Sequence, residues 1–429
     1  MSAPDLLLAL AGEFVNCFTN PGFQHFLHFA VAHAMMWGAP HCVTETLRQT
    51  KWHAVKHWTT PYVFMNRGRW SCRTVCDTLL ALILRLLPFP GEVVAAIDDT
   101  LVKKWGRHFF GLGCYPDPTD KNPGASRRRV WGHCWVVLAL LWERSRGQWF
   151  CFPLGALLFV PKWACSRQWP FKTKIELAVW LIERLRFLQR LIVVVDNLYA
   201  KAKLAVTLVG REGGGVLFSR LRSNAALYEL PRAKRPGQRG RPAVRGKKVS
   251  PRQLWNRRSQ RRQLKVHIYG KIVSIQAWVG VVIPSRTLGN SPILVVIFPQ
   301  RSGKKMNVFF SSDPRTDPVR LLEVYGARFK IEDVFDEIKT HGGFGDCRQR
   351  SHRALRRHAT LCLLSYSLLR LLSLTLKGAE TLAAEPWWHP SGPPSVTRVR
   401  RTLAGAFGIS FSLLTARKPR EIRALRKAA

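Results

Sequence analysis

The chain has 429 residues and carries 68 Lys and Arg against 26 Asp and Glu, a formal charge of +42. Hydrophobic residues make up 47% and aromatics 11%, enough to bury a core across two or three domains and to exclude a disordered basic tail protein. So large an excess of one sign repels itself unless a polyanion is bound, so nucleic acid is the expected partner, with an anionic membrane surface and structural RNA binding as the competing readings.

From the start, Met1 to Glu13 holds an apolar run (Leu6 to Ala11) preceded by Asp5 and no basic residue, which does not read as a signal peptide. Residues 1–90 read as a helical N-terminal domain, a candidate for DNA binding without a helix-turn-helix pattern. In it Ser71 caps a predicted helix through Val75, Leu79, Leu80 and Ile83 that Pro88 ends. The ten cysteines include no CxxC pair, and Cys72 and Cys76 have no matching second pair, so they read as reduced thiols rather than a zinc site.

From Glu92 the period changes. Val93 to Ile97 is a short apolar run ending in Asp98-Asp99-Thr100, which predicts a buried strand with the aspartates at its end. Val130 to Trp142 and Trp149 to Val160 are β-rich, separated by Arg144-Ser145-Arg146-Gly147. Lys174 to Leu188 has helical spacing, and Leu191 to Val195 predicts a second buried strand ending in Asp196. Strands, a helix and another strand in that order make an α/β mixed sheet flanked by helices.

Between Pro231 and Gln263 stand thirteen Lys and Arg with no acid, among four prolines, which predicts a solvated basic arm; Lys234, Arg235, Lys247 and Lys248 are its candidate DNA contacts. Strand-like runs resume over Lys265 to Val282 and Pro292 to Phe298. A long helix is expected from Asp317-Pro318 to His341-Gly342-Gly343, then another over Arg350 to Leu376. The apolar part of the latter, Leu361 to Leu376, is short for a bilayer and contains Arg370, so it reads as a core helix with no membrane partner. Arg398 to Ala429 reads as a basic tail.

An aspartate after a strand is usually a turn former, but two such aspartates after buried strands of one sheet sit where ligands commonly bind. The helix over Leu321 to Lys339 supplies a third carboxylate. Tyr325, Arg328, Glu332 and Lys339 are spaced 3, 4 and 7 apart, and on one straight helix they fall within an arc of roughly 60°. Val324, Ile331, Phe335 and Ile338 form a separate apolar stripe. The bland account is an amphipathic surface helix with an Arg328–Glu332 pair.

The pattern Tyr325-x2-Arg328-x3-Glu332-x6-Lys339 resembles the YREK signature of one branch of bacterial insertion-sequence DDE transposases. Ile97-Asp98-Asp99-Thr100 and Val195-Asp196-Asn197-Leu198-Tyr199 resemble that branch's two aspartate motifs, and Gly343-Phe344-Gly345 through Gln349-Arg350-Ser351 and His358 its continuation. The resemblance covers about residues 91–375. It implies an RNase H-like core over 91–230 and 301–378, a basic arm and mostly β insertion over 231–300 before the last catalytic helix, and a C-terminal tail over 379–429. It implies Asp98, Asp196 and Glu332 as catalytic metal ligands, with Asp99 the alternative to Asp98. Tyr325, Arg328, Lys339 and Arg350 would bind DNA.

The expected chemistry is in-line phosphodiester cleavage and joining of 3′-OH ends. It would use two Mg²⁺ ions roughly 4 Å apart, with Mn²⁺ as a substitute. The partners would be double-stranded DNA, as transposon ends and target, and a second copy of the chain in a homodimeric synaptic complex. A cytoplasmic, nucleoid-associated bacterial enzyme follows. A nuclease without strand transfer and a non-catalytic or decayed nucleic-acid-binding protein are the rivals.

Overall fold

A computed structural model describes residues 2–51, 56–106, 108–120, 128–185, 188, 190–233, 241–285, 288–376 and 392–407. Helices α1 (Ala3–Gly12), α2 (Asn20–Met35), α3 (Val43–Thr50), α4 (Thr60–Asn66) and α5 (Cys72–Leu86) open the chain. Ser2, Thr19 and Ser71 cap α1, α2 and α5 by accepting backbone N–H bonds that would otherwise lack partners. All ten cysteines are free thiols.

The sheet begins with β1 (Val93–Lys103), β2 (Gly113–Pro116), β3 (Arg129–Ser145) and β4 (Gln148–Phe159). Helix α6 (Lys174–Ile182), β5 (Leu191–Val195), α7 (Ala202–Val209) and β6 (Gly215–Leu221) follow. Strands β1, β3 and β4 make an antiparallel meander, and β5 and β6 join β1 in parallel, giving the order β4-β3-β1-β5-β6. Three antiparallel strands, then two parallel ones reached across helices, is the RNase H-like arrangement. Val93–Ile97 and Leu191–Val195 are buried throughout. Such continuous apolar runs are what strands covered on both faces require.

One expectation is corrected in β1. Asp98 and Asp99 do not end the strand, because Thr100, Leu101 and Val102 continue it and pair with β3 as far as Lys103 opposite Gly132. The neighbour β5 ends instead. Its last pair with β1 is Val195 with Ile97, so the β5 side of Asp98 is open.

Next come β7 (Leu227–Tyr228), β8 (Lys248–Val249), α8 (Pro251–Trp255), β9 (Arg261–Ile268), β10 (Lys271–Pro284), β11 (Ile293–Pro299) and β12 (Met306–Ser311). They prolong the same sheet in the order β6-β12-β11-β10-β7-β8, with β9 on β10. The basic stretch is therefore not a loop throughout. Ser250 and Gln253 form a reciprocal capping box on α8, and the Arg261 guanidinium stacks 3.9 Å from the Trp255 ring. Lys234 and Arg235 lie outside the described residues.

The expected single helix over 317–341 is two helices, α9 (Pro318–Ala327) and α10 (Lys330–Thr340). Asp317 caps α9 with Pro318 following, as expected. At the junction Phe329, Ile331 and Glu332 donate their N–H groups to carbonyls three residues back, at 3.4, 3.1 and 3.0 Å, and this tightened turn bends the axis. Tyr325 and Arg328 therefore precede the junction and Glu332 and Lys339 follow it, with the i,i+4 pair of Arg328 and Glu332 formed across it. After α10, Gly343 has φ +66, and a Cβ there would stand 2.2 Å from His41 Cβ, so close approach and left-handed backbone both demand glycine.

Helix α11 (His352–Thr375) is long and apolar enough to cross a membrane by length and composition, but 89% of its apolar window is buried among α1, α2, α5 and β4. Helix α12 (Val396–Phe407) is a second correction, since this part of the supposed tail is packed. Its Arg400 is buried and donates to the His33 and His341 carbonyls at 2.7 Å and to His41 Nε2 at 3.0 Å. Residues 408–429 lie outside the described residues.

Where α2 meets α11, Cys362 Sγ stands 3.6 Å from His33 Nδ1 and 3.5 Å from His358 Nε2, and the His33 and His41 rings are 5.2 Å apart. Burial lowers the pKa of all three histidines, His358 to about 4, with Arg400 and Lys104 adding to the effect and Asp346 opposing it at His41 and His358. The unfolded chain takes up these protons below about pH 6.5, the folded chain only further down, so this stability is complete at neutral pH and is lost as pH falls. Each histidine contributes up to about 1.4 kcal/mol per pH unit. The melting temperature should drop between pH 7 and pH 5 in calorimetry, and a value unchanged across that range contradicts the reading.

Candidate active site

Asp98 lies on β1 just past the point where β5 stops, and Asp196 is the first residue after β5. The two carboxylates thus leave the same edge of adjacent parallel strands. Ser219 on β6, fully buried, donates to the Val195 carbonyl at 2.8 Å and the Asp196 carbonyl at 3.0 Å, pinning the backbone there. Asp196 Oδ1 accepts the N–H groups of Leu198 at 2.8 Å and Tyr199 at 3.4 Å, which turns the chain toward α7. Its Oδ2 makes no hydrogen bond among the described residues.

Glu332 comes from the first turn of α10. Arg328, at the bend, is 6% exposed and ties the two regions together. Its Nη1 donates to Asp98 Oδ2 at 2.7 Å and its Nη2 to Glu332 Oε1 at 2.8 Å. Two carboxylates on one guanidinium bring β1 and α10 within one side chain of each other. Burial pushes the Asp98 pKa up to about 6, opposed by Arg328 and reinforced by Asp196 and Asp99. The Tyr325 ring lies beside Arg328, 5.7 Å from its guanidinium carbon, and packs edge-on to Phe309. Lys339 stands exposed about two turns beyond Glu332, roughly 10 Å along α10, and forms no hydrogen bond or ion pair among the described residues.

Asp99 faces elsewhere, as strand alternation requires. Its oxygens accept Lys174 Nζ at 2.6 Å and Tyr199 Oη at 2.9 Å, and Cys134 Sγ lies 3.4 Å away. It anchors α6 and the post-β5 turn to the sheet. Lys247 and Lys248 sit at the far end of the extended sheet, seven strand places from β1 or roughly 30 Å, and do not join the carboxylates. Arg350 is exposed beyond the carboxylate edge, its carbonyl accepting Phe110 N–H at 3.0 Å.

Two neighbours escaped sequence reasoning. Tyr269 and Gly270, with φ 52 and 72, form the tip of the β9–β10 hairpin, and Tyr269 is exposed 6.0 Å from the Phe329 ring at the bend. The hairpin is held down by Glu323, which accepts His267 N–H at 3.0 Å and Arg146 Nη2 at 3.2 Å. Arg220 on β6 is exposed and close enough to lower the Tyr325 pKa, although burial raises it overall. A positive-φ Tyr-Gly turn between strands was the one readable signal for the first. Nothing marked Arg220.

No group of three or more His, Cys, Asp or Glu side chains among the described residues stands close enough, as placed, to hold a metal ion. The donor chemistry nevertheless suits a hard divalent cation, being oxygen throughout, and the Arg328 guanidinium already supplies positive charge between Asp98 and Glu332. Glu332 is half exposed, and its bond to Arg328 is an i,i+4 surface pair that costs little to release.

The sequence model of the DDE superfamily endonuclease family matches residues 13–271, more than half of the chain, and the chain belongs to that family. The matched span includes Asp98 and Asp196 and stops short of Glu332. No curated protein matches the sequence. A similar solved structure is the piggyBac transposase synaptic complex with hairpin DNA, at TM-score 0.41 and 12% identity over 95% of this chain and 75% of that one.

Because Asp99 is the anion for Lys174, Asp99→Asn should lower unfolding stability by about 2 kcal/mol, the cost of unpairing a charged hydrogen bond. Denaturant titration checks this, and an unchanged midpoint would show that the pair contributes nothing.

Proposed function

We propose that this endonuclease-family chain is a DNA transposase of the bacterial insertion-sequence branch with the YREK signature. It would cut phosphodiester bonds at element ends and join the 3′-OH ends to target DNA. The observation that carries this reading is the shared guanidinium of Arg328, bonded to Asp98 and Glu332 with Asp196 one strand away. Asp98 and Glu332, 234 positions apart in the chain, share this one side chain, which supports the reading.

Asp98, Asp196 and Glu332 are the residues that would hold two Mg²⁺, with Mn²⁺ as substitute. When bound, the ions would lower the pKa of the attacking hydroxyl and stabilise the leaving oxygen. Asp98 is preferred to Asp99 because Asp99 is already engaged by Lys174 and Tyr199. Arg328, once released from Glu332, keeps its position through Asp98 and offers a planar fork to a phosphate. Tyr325, beside Arg328, and Lys339, further along α10, would be additional phosphate donors. The same reading makes residues 1–90 a DNA-binding helical domain, the synaptic complex a homodimer, and the site of action the bacterial cytoplasm.

With Mg²⁺ and DNA bearing the inverted repeats that flank the gene, the wild-type protein should nick the ends and join pre-cut 3′ ends to a target. Asp98→Asn, Asp196→Asn and Glu332→Gln should each cut at least about a thousand-fold more slowly, the loss of several kcal/mol of charge stabilisation. Their affinity for the same DNA should stay within a few-fold. Undiminished cutting by Glu332→Gln removes Glu332 from the site, and cutting without joining makes the protein a nuclease.

A further inference from the structure

A second basic site lies away from the carboxylates, in a cleft of about 640 Å³ between the α4–α5 turn and the N-terminal end of α11. Arg67, Arg353 and Arg356 line it, Trp70 and Trp169 supply apolar wall, and no acidic residue borders it. Arg69, Arg348 and Arg350 stand exposed on the adjoining turns. None of these six arginines forms an ion pair among the described residues.

The turn that presents Arg67 and Arg69 is built around a buried charge. Arg357 is 4% exposed, and donates to the carbonyls of Phe64 at 2.9 Å, Met65 at 3.1 Å, Gly68 at 2.5 Å and Trp70 at 2.7 Å. Its guanidinium also lies 4.5 Å from the Trp70 ring centre. Carbonyls satisfy its donors without cancelling its charge, so the field under the cleft stays positive. Burying a charge with no carboxylate partner is costly, and the four carbonyl bonds that tie the turn to α11 offset that cost without removing the charge. The opposite wall is equally fixed, with the Trp169 ring centre 3.7 Å from that of His352, tilted at 44°, and edge-on to Phe110. Burial lowers the His352 pKa to about 4, with Arg356 and Arg353 adding to the shift, so that ring is neutral at pH 7.

We propose that this cleft binds the sugar–phosphate backbone of duplex DNA, at a place distinct from the carboxylate site. The inference rests on DNA being the substrate. Preformed guanidinium forks on a rigid concave wall suit phosphate oxygens, and the lack of acids removes competing partners. Asn66 and Ser351, hydrogen-bonded at 2.6 Å, add polar groups at the rim. The cleft is tied to the carboxylate strand through the backbone: β1 runs past Asp98 to Lys103, and Lys104 Nζ then bonds the Gly345 and Cys347 carbonyls just before Arg348.

Binding of the full-length protein to a labelled random-sequence 30-bp duplex, measured by fluorescence anisotropy from 50 to 300 mM KCl, tests this. The triple variant Arg67→Ala/Arg353→Ala/Arg356→Ala should bind at least tenfold more weakly at 150 mM. Its slope of log affinity against log salt should be shallower by about 2 to 3, near 0.9 for each phosphate no longer neutralised. The corresponding triple lysine variant should keep the wild-type slope. The single variants of the exposed Arg67 and Arg353, Arg67→Ala and Arg353→Ala, should each remove about one unit, the latter also losing a 3.3 Å bond from Arg353 Nη1 to the Asn66 carbonyl. A control triple on the β11–β12 turn, Arg301→Ala/Lys304→Ala/Lys305→Ala, should leave the slope unchanged. Equal slopes for wild type and cleft variants, or an equal loss in the control, overturns the cleft while leaving the proposed chemistry standing. A wild-type protein that binds no duplex DNA sinks both.

Discussion

The site depends on a balance of charge around one guanidinium. Asp98 is drawn from a strand between two others, where water is scarce and Asp196 is close, and its ionised form is tolerated only because a cation is within reach. Arg328 provides that cation in the free protein, and in doing so sets the distance between β1 and the start of α10. The tightened turn at Phe329 serves this contact, because it puts Arg328 at a corner facing both the strand and the next helix. Arg328 reaches Glu332 one helical turn further along the chain and Asp98 across on the strand, so one arginine holds a carboxylate from each element.

The scaffold makes those positions rigid by ordinary means. Five buried apolar residues on β1 and five on β5 fix two neighbouring strands in register, and the first aspartates beyond the pairing, Asp98 and Asp196, leave the same edge of the sheet. Ser219 and the Asp196 turn hold the backbone, and Asp99 turns its own carboxylate to the opposite side to hold α6. Adjacent acids thus have different roles for a geometric reason, the alternation of side chains along a strand.

Positive charge is also placed rather than merely abundant. Arg357 and Arg400 are buried among carbonyls, where each joins elements far apart in sequence, and the exposed arginines gather on the turns they support. Such a molecule holds its charge in the folded state at a cost in self-repulsion, a cost that a polyanionic partner offsets. The basic cleft gathers arginines with no acid at its border, and the carboxylate edge gathers acids around one guanidinium.

The sequence by itself determined the elements whose signals are local. Apolar runs announced β1 and β5, the Asp317-Pro318 pair announced α9, Ser71 announced α5, and the spacing of Arg328 and Glu332 announced a contact one helical turn long. What only the tertiary structure decided depends on partners distant in the chain. Whether Asp98 ends a strand turned on where β5 stops, and the orientation of Asp99 on Lys174 and Tyr199. The break after Ala327, the docking of α12 through Arg400, the Tyr269 hairpin tip beside Phe329 and helix α8 within the basic stretch have the same origin. Composition and periodicity report how a segment meets water, and they are blind to which segment it meets instead.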